Sequence, residues 1–290
     1  MHRYALPLGY NVADLALTKV GNPMQKTLLS LLAAGIAATA GVAHADDDIP
    51  QIIDVHGPLR VTLPKIPEGG WFTSAELGAI ATSGNTTGTS ITGKIDARHE
   101  TARWSHEFVV SGFFKEDEYE DEDGNKERSK SAERFAASAK ASYKLLGANT
   151  RAFILGSHVN DRFGAYTRYS SLSVGHGRQL LSAPDKTLDV EIGPGYFAGE
   201  RDTGVDENGL TVRGAAQFRW KVSPSAFFAQ TISVEKGTSN THSVAETSLS
   251  TKINSTMQMK AGFSARNDTS VTPGKKNTDT QTSLTMVYSF

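Results

Sequence analysis

No cysteine occurs anywhere in the 290 residues. That removes a disulfide framework, a thiolate metal site and a cysteine nucleophile together. A charge excess is missing as well: 30 Lys and Arg stand against 31 Asp and Glu, a formal net charge of −1, so nothing electrostatic points to nucleic acid. Apolar residues make up 38%, fewer than in an average globular domain. The chain is too polar for a helical membrane protein. It suits a barrel, whose strands need an apolar residue only at every second position.

Only one stretch is strongly apolar, Met24 to Ala45 (MQKTLLSLLAAGIAATAGVAHA). Lys26, the apolar Leu28 to Ala38, and Ala43-His44-Ala45 before the acidic Asp46 follow the order of a secretory signal peptide, with cleavage expected after Ala45. The rival reading is a transmembrane anchor, but the apolar part falls short of the roughly 20 residues that a spanning helix needs. Residues 1–23 make no sense ahead of a signal and read as a mis-called extension, with Met24 as the true start. Residues 46–70 hold Pro50, Pro58, Pro64 and Pro67, and read as an extended periplasmic lead-in because Pro interrupts regular pairing.

From Trp71 onward the side chains alternate with period two, the strand signal. Lys94, Asp96 and Arg98 interleave with Ile91, Gly93, Ile95 and Ala97. Trp104, His106, Phe108, Val110 and Phe114 share one parity; Ser105, Glu107 and Ser111 take the other. Phe135, Ala137, Ala139, Ala141 and Tyr143 oppose Arg134, Lys140 and Lys144. Leu188, Val190 and Ile192 oppose Asp189 and Glu191; Leu210, Val212, Ala216, Phe218 and Trp220 oppose Arg213, Gln217 and Arg219; Met257, Met259, Ala261 and Phe263 oppose Lys260 and Arg266. In 165–176 and 226–235 neither face is clean. Segments of about ten residues recur, as tilted membrane strands require, whereas soluble sandwich strands are usually nearer five or six.

Short connections fall near 100–103, 146–150, 221–225 and 254–256, and longer polar ones at 116–130, 198–208, 236–241 and 267–279. Residues 71–290 are therefore expected to form an all-β fold, a closed antiparallel transmembrane β-barrel of about 12 strands. At the end, Leu284, Met286, Tyr288 and Phe290 share a parity. Such a last strand resembles the signal read by the barrel-assembly machinery; the bland alternative is an ordinary strand that happens to end in Phe.

Residues 74–108, SAELGAIATSGNTTGTSITGKIDARHETARWSHEF, resemble the opening hairpins of the DUF481 family, described as salt-induced outer-membrane proteins. A strand runs into Ser83-Gly84-Asn85-Thr86, a second strand follows, and a charged turn precedes Trp104. The resemblance extends over about 71–290. It implies an outer-membrane location and a link to salt or osmotic response, and no reaction.

Candidate chemistry is sparse. Asp121, Asp123, Asn125 and Glu127 have the odd spacing of a calcium loop, but Lys126 stands where a tight-turn Gly belongs and Ala132 holds position twelve. A solvated outer loop is the first reading, and a weak divalent-cation site near lipopolysaccharide phosphates the sharper one. His158 and His176 fall on neighbouring expected strands, and His99 and His106 flank one turn. No G-x-S-x-G elbow occurs and no Ser is tied to a His, so no catalytic residue, metal or cofactor is assigned and the chain is not read as an enzyme. Trp71, Trp104, Trp220, Tyr143, Tyr196 and Tyr288 read as interface girdles.

The lumen-facing charges would be Lys94, Asp96, Arg98, Arg134, Lys140, Lys144, Asp189, Glu191, Arg213, Arg219, Lys260 and Arg266, with Glu76, Glu107 and Glu246. They either pair across a narrow lumen or line a water path for small polar or anionic solutes. The expected function is thus an outer-membrane barrel, as a narrow pore; the alternatives are a non-conducting structural or surface-interaction barrel and, less favoured, a lipid hydrolase. Expected partners are outer-membrane lipids, lipopolysaccharide and the barrel-assembly machinery. Oligomeric state is left open.

Overall fold

The computed structural model describes residues 69–82, 87–120, 126–145, 149–273 and 276–290. The expected extension, signal segment and nearly all of the lead-in lie outside the described residues. The chain folds as twelve strands: β1 (Trp71–Thr82), β2 (Thr87–Glu100), β3 (Trp104–Glu120), β4 (Lys126–Lys144), β5 (Thr150–Asp161) and β6 (Tyr166–Ser182), then β7 (Lys186–Arg201), β8 (Asp206–Lys221), β9 (Ala226–Lys236), β10 (Thr241–Lys252), β11 (Met257–Asp268) and β12 (Thr278–Ser289). Each pairs antiparallel with its sequence neighbours, and β1 pairs with β12, so the sheet is a closed barrel. Closure pairs the first strand with the last and so limits the open sheet edge, as a β-structure surrounded by hydrocarbon requires.

The seam is the shortest pairing. Four positions pair between β1 and β12, from Ser74↔Ser289 to Leu77↔Met286, where β1 and β2 pair over twelve. Two further backbone hydrogen bonds extend it: Thr73 N donates to the Phe290 carbonyl at 3.2 Å, and Phe290 N to that of Thr73 at 2.9 Å. Tyr288 and Phe290 stack outside the seam, ring centroids 5.8 Å apart.

The barrel inverts the burial pattern of a soluble protein. Leu210 is 76% exposed, Leu77 65% and Ile192 63%, all on the outer parity, while Ser, Thr, Arg and Asp side chains fill the inside. An exposed apolar surface this continuous would aggregate in water and is at home against lipid. At the end formed by the start of β1 and the finish of β12, called proximal here, Trp71, Trp104, Tyr143, Trp220 and Tyr288 form an aromatic collar. Trp71 packs 4.9 Å from His99, and Trp104 lies 5.1 Å from Tyr143. Where a polar pair does face outward, it satisfies itself: Thr247 donates to Gln230 at 2.5 Å, and Gln230 to the Thr231 carbonyl.

Of the long outer loops expected at 116–130, 198–208, 236–241 and 267–279, the first two are mostly strand instead, while 237–240 and 269–277 do connect their strands. β3 runs to Glu120 and β4 starts at Lys126, while β7 runs to Arg201 and β8 starts at Asp206. Past the level of Arg134, β4 has no partner positions on β5, so β3 and β4 go on together. Both faces of such an extension meet water, so no apolar parity marks it. Cross-strand polar contacts hold it: Arg128–Glu118 at 3.6 Å, and Tyr119 Oη donating to Glu127 at 2.8 Å.

Pro194 stands inside β7, where a ladder donor is lost. Regular β6–β7 pairing lapses there, between Ser173↔Gly195 and His176↔Ile192. The backbones still approach closely, because a Cβ on Gly193 would stand 1.9 Å from the Val174 carbonyl oxygen and one on Gly175 2.4 Å from that of Ile192. The Phe153 ring covers Gly175 from inside the lumen.

Candidate functional site

Inward parity brings the charged side chains into four groups. The register sets Lys94 opposite Glu76, Asp96 opposite Ser74 and Arg98 opposite Phe72 on β1 and β2. Near the seam, Lys260 reaches Glu76 at 2.5 Å and Thr285 donates to the same carboxylate at 2.6 Å. At the proximal mouth, Arg98 and Lys144 share Glu100, at 2.6 and 2.9 Å, and Arg98 also faces Glu107 at 3.9 Å.

The third group is a five-sided network on β7. Glu191 takes Lys140 from β4, Arg151 from β5 at 3.0 Å and Arg213 from β8 at 3.4 Å; Asp189 takes Arg151 and Arg219, each at 3.0 Å. Arg151 joins the two carboxylates, and the sequence reading missed it. It precedes Ala152-Phe153-Ile154-Leu155, an unbroken apolar run in which parity cannot be seen, yet Phe153 and Leu155 are buried inside. Buried carboxylates are tolerable only when paired and hydrogen-bonded, and here two of them meet four cations.

The fourth group crosses the lumen. Arg266 on β11 and Arg134 on β4 both stand 3.7 Å from Asp161 of β5. In the ring of strands, β11 lies opposite β5. Tyr169 adds to this septum, accepting from Arg134 at 3.4 Å and facing the His242 ring at 6.4 Å. Ala136 and Val159 pack beneath it, fully buried.

Beyond the septum the distal mouth is covered. Arg201 donates to Glu207 at 2.7 Å and to Ser270 at 3.1 Å, Thr272 donates to Asp202 at 2.6 Å, and Asn240 and His242 hold Asp268 at 2.7 and 2.9 Å. The segment after β11 thus reaches across to the β7–β8 turn. Tyr166, Tyr169 and Phe197 cluster below it around a cavity of about 70 Å³. The proximal half holds a chamber of about 370 Å³ instead, floored by the Asp189–Glu191 network.

The remaining candidates stand apart from these groups. His158 and Ser170 meet on the outer wall at 2.9 Å, and among the described residues no carboxylate holds the far side of that imidazole. His99 and His106 stack at 5.8 Å within the aromatic collar. Of the calcium-loop candidates, Asp121, Asp123 and Asn125 lie outside the described residues. Among the described residues no three His, Asp or Glu side chains are grouped to hold a metal ion.

A closed twelve-strand barrel with a polar interior, an apolar outer wall and an aromatic collar defines an outer-membrane β-barrel protein. An even strand number returns the chain to the side it started from, which in this class is the periplasm, so the proximal mouth is the periplasmic one. The chain belongs to the family described as "Protein of unknown function, DUF481", whose model matches residues 75–290. A relative from Escherichia coli K12, "Uncharacterized protein YdiY", is 27% identical over 89% of this chain and 95% of its own length. Among solved structures, the COG4313 outer membrane channel from Pseudomonas putida F1 covers 79% of this chain and all of its own, with 11% identity and a TM-score of 0.48. The NanC porin covers 76% of this chain and 98% of its own, with 7% identity and a TM-score of 0.48.

Proposed function

We propose that this protein is an outer-membrane barrel closed at rest, with a periplasmic chamber for small polar solutes and no free path to the outside. The observation that carries this reading is the Arg266–Asp161 pair, which joins opposite walls of the ring through side chains alone. Passage of a solute requires that pair and the Tyr169 ring to move. Export through a signal segment cleaved after Ala45 belongs to the same proposal. So does recognition of the Tyr288–Phe290 strand end by the assembly machinery, supported by the backbone bonds between Phe290 and Thr73. The link to salt or osmotic response rests on family resemblance alone.

The test is conductance of the refolded barrel in planar bilayers. Wild type is expected to be silent, and the double variant Arg266→Ala with Tyr169→Ala to give discrete current steps. Steady open-channel current from wild type would overturn the closed reading. It would favour the second one, a narrow anion-preferring pore, for which the basic excess of the chamber is the supporting observation: six basic side chains line it against four acidic ones.

A further inference from the structure

The periplasmic chamber holds about 370 Å³ and is lined almost wholly by polar and charged side chains. We propose that it is a binding site for a small organic carboxylate carrying hydroxyl groups, entering from the periplasmic side. The inference rests on the chamber described above and deepens that reading by naming a ligand class.

Three observations converge on it. The first is size: about 370 Å³ falls in the usual small-molecule range of about 300–1,000 Å³. The second is charge. Asp189 and Glu191 already take four cations through five contacts, and six basic side chains line the chamber against four acidic ones. An anion is therefore welcome where another cation is not, and Arg presents its donors in the fork that a carboxylate matches.

The third observation is a set of buried donors lining the same chamber. Arg213 Nε, Ser142 Oγ and Thr231 Oγ1 have no hydrogen-bond partner among the described residues, and Arg213 and Ser142 are each 2% exposed. Buried polar groups are nearly always bonded, and an orphaned one is costly to keep. Their residues come from β8, β4 and β9 and line the one chamber from different walls. A guanidinium nitrogen suits the carboxylate, and hydroxyls that both donate and accept suit ligand hydroxyls. Apolar lining is confined to Leu145, Ala215 and Ala216, too little to hold an apolar ligand.

The experiment is isothermal titration of the refolded full chain in detergent, with sodium gluconate, sodium acetate and glucose as probes. Gluconate, with both charge and hydroxyls, should bind at least tenfold more tightly than acetate, and glucose should give no heat. Thr231→Val and Ser142→Ala touch no ion pair and should each weaken gluconate several-fold while leaving acetate unchanged. Arg213→Gln should weaken both anions tenfold or more. Gel mobility of unboiled samples, taken on each variant, separates lost binding from lost folding. Absence of gluconate heat from folded wild type, equal affinity for glucose, or unaltered binding in Thr231→Val and Ser142→Ala each overturns the proposal. The titration is at equilibrium and needs no through path, so it can fail while the barrel is closed and succeed while it conducts.

Discussion

At the periplasmic end the lumen widens into a chamber of about 370 Å³, whereas at the distal end rings, an ion pair and a folded-over segment leave about 70 Å³. The same strands build both. β4 supplies Lys140 to the open half and Arg134 to the blocked one; β5 supplies Arg151 and Asp161; β11 supplies Lys260 and Arg266. What separates the halves is how charges are spent. Proximally, the carboxylates of β7 gather cations from β4, β5 and β8, all on one side of the ring, so no pair there joins opposite walls. Distally, a single carboxylate from β5 meets an arginine from the opposite wall, and large inward rings take up the rest. A barrel of twelve strands can therefore be roomy or filled at different heights, so strand number alone does not set the bore.

The two halves also differ in how much they depend on one side chain. Glu191 compensates Lys140, Arg151 and Arg213, and its side chain is 8% exposed. Glu191→Gln should leave buried cations uncompensated and lower barrel stability by about 3–5 kcal/mol, the usual cost of breaking a buried pair. Thermal loss of the folded band in unboiled gels measures it, and a shift no larger than that of a surface variant would place the network in bulk-like water. The smaller effect belongs to the distal cover. Thr272→Ala removes one hydrogen bond to Asp202, worth about 0.5–1.5 kcal/mol. Thermal stability should barely change, while protease cleavage within 269–273 on the outer face should quicken. A large stability loss from Thr272→Ala would mean that the cover, not the β7 network, holds the barrel together.

Much of this architecture is readable in the sequence, and for one reason. Lipid outside and polar side chains inside give period two its full contrast, so Phe108 and Val110 against Glu107 and Ser111, or Phe218 and Trp220 against Arg219, declare their faces. The strand count and the inward side of Lys140, Arg213 and Arg266 follow from that contrast. It fails wherever both faces are alike. The β3–β4 extension is wet on both sides and reads as loop 116–130. β5 and β9 carry Phe153, Leu155 and Phe227 inward beside Ile154 and Phe228 outward, so 226–235 looks ambiguous and Arg151 goes unnoticed. Parity also says nothing about which walls touch. The Arg266–Asp161 pair links positions on opposite sides of the ring, and that depends on barrel shape rather than on any local pattern.

The absence of native cysteine makes the difference between the two halves directly measurable. Ala215 lines the chamber on the inward parity of β8, and Ala215→Cys introduces the only thiol in the chain. In proteoliposomes of known orientation, a membrane-impermeant maleimide should label this thiol rapidly from the periplasmic side and not at all from the outer side. Adding Arg266→Ala and Tyr169→Ala should open the outer route. Equal labelling of Ala215→Cys from both sides, with the septum intact, would contradict a lumen closed at its distal half.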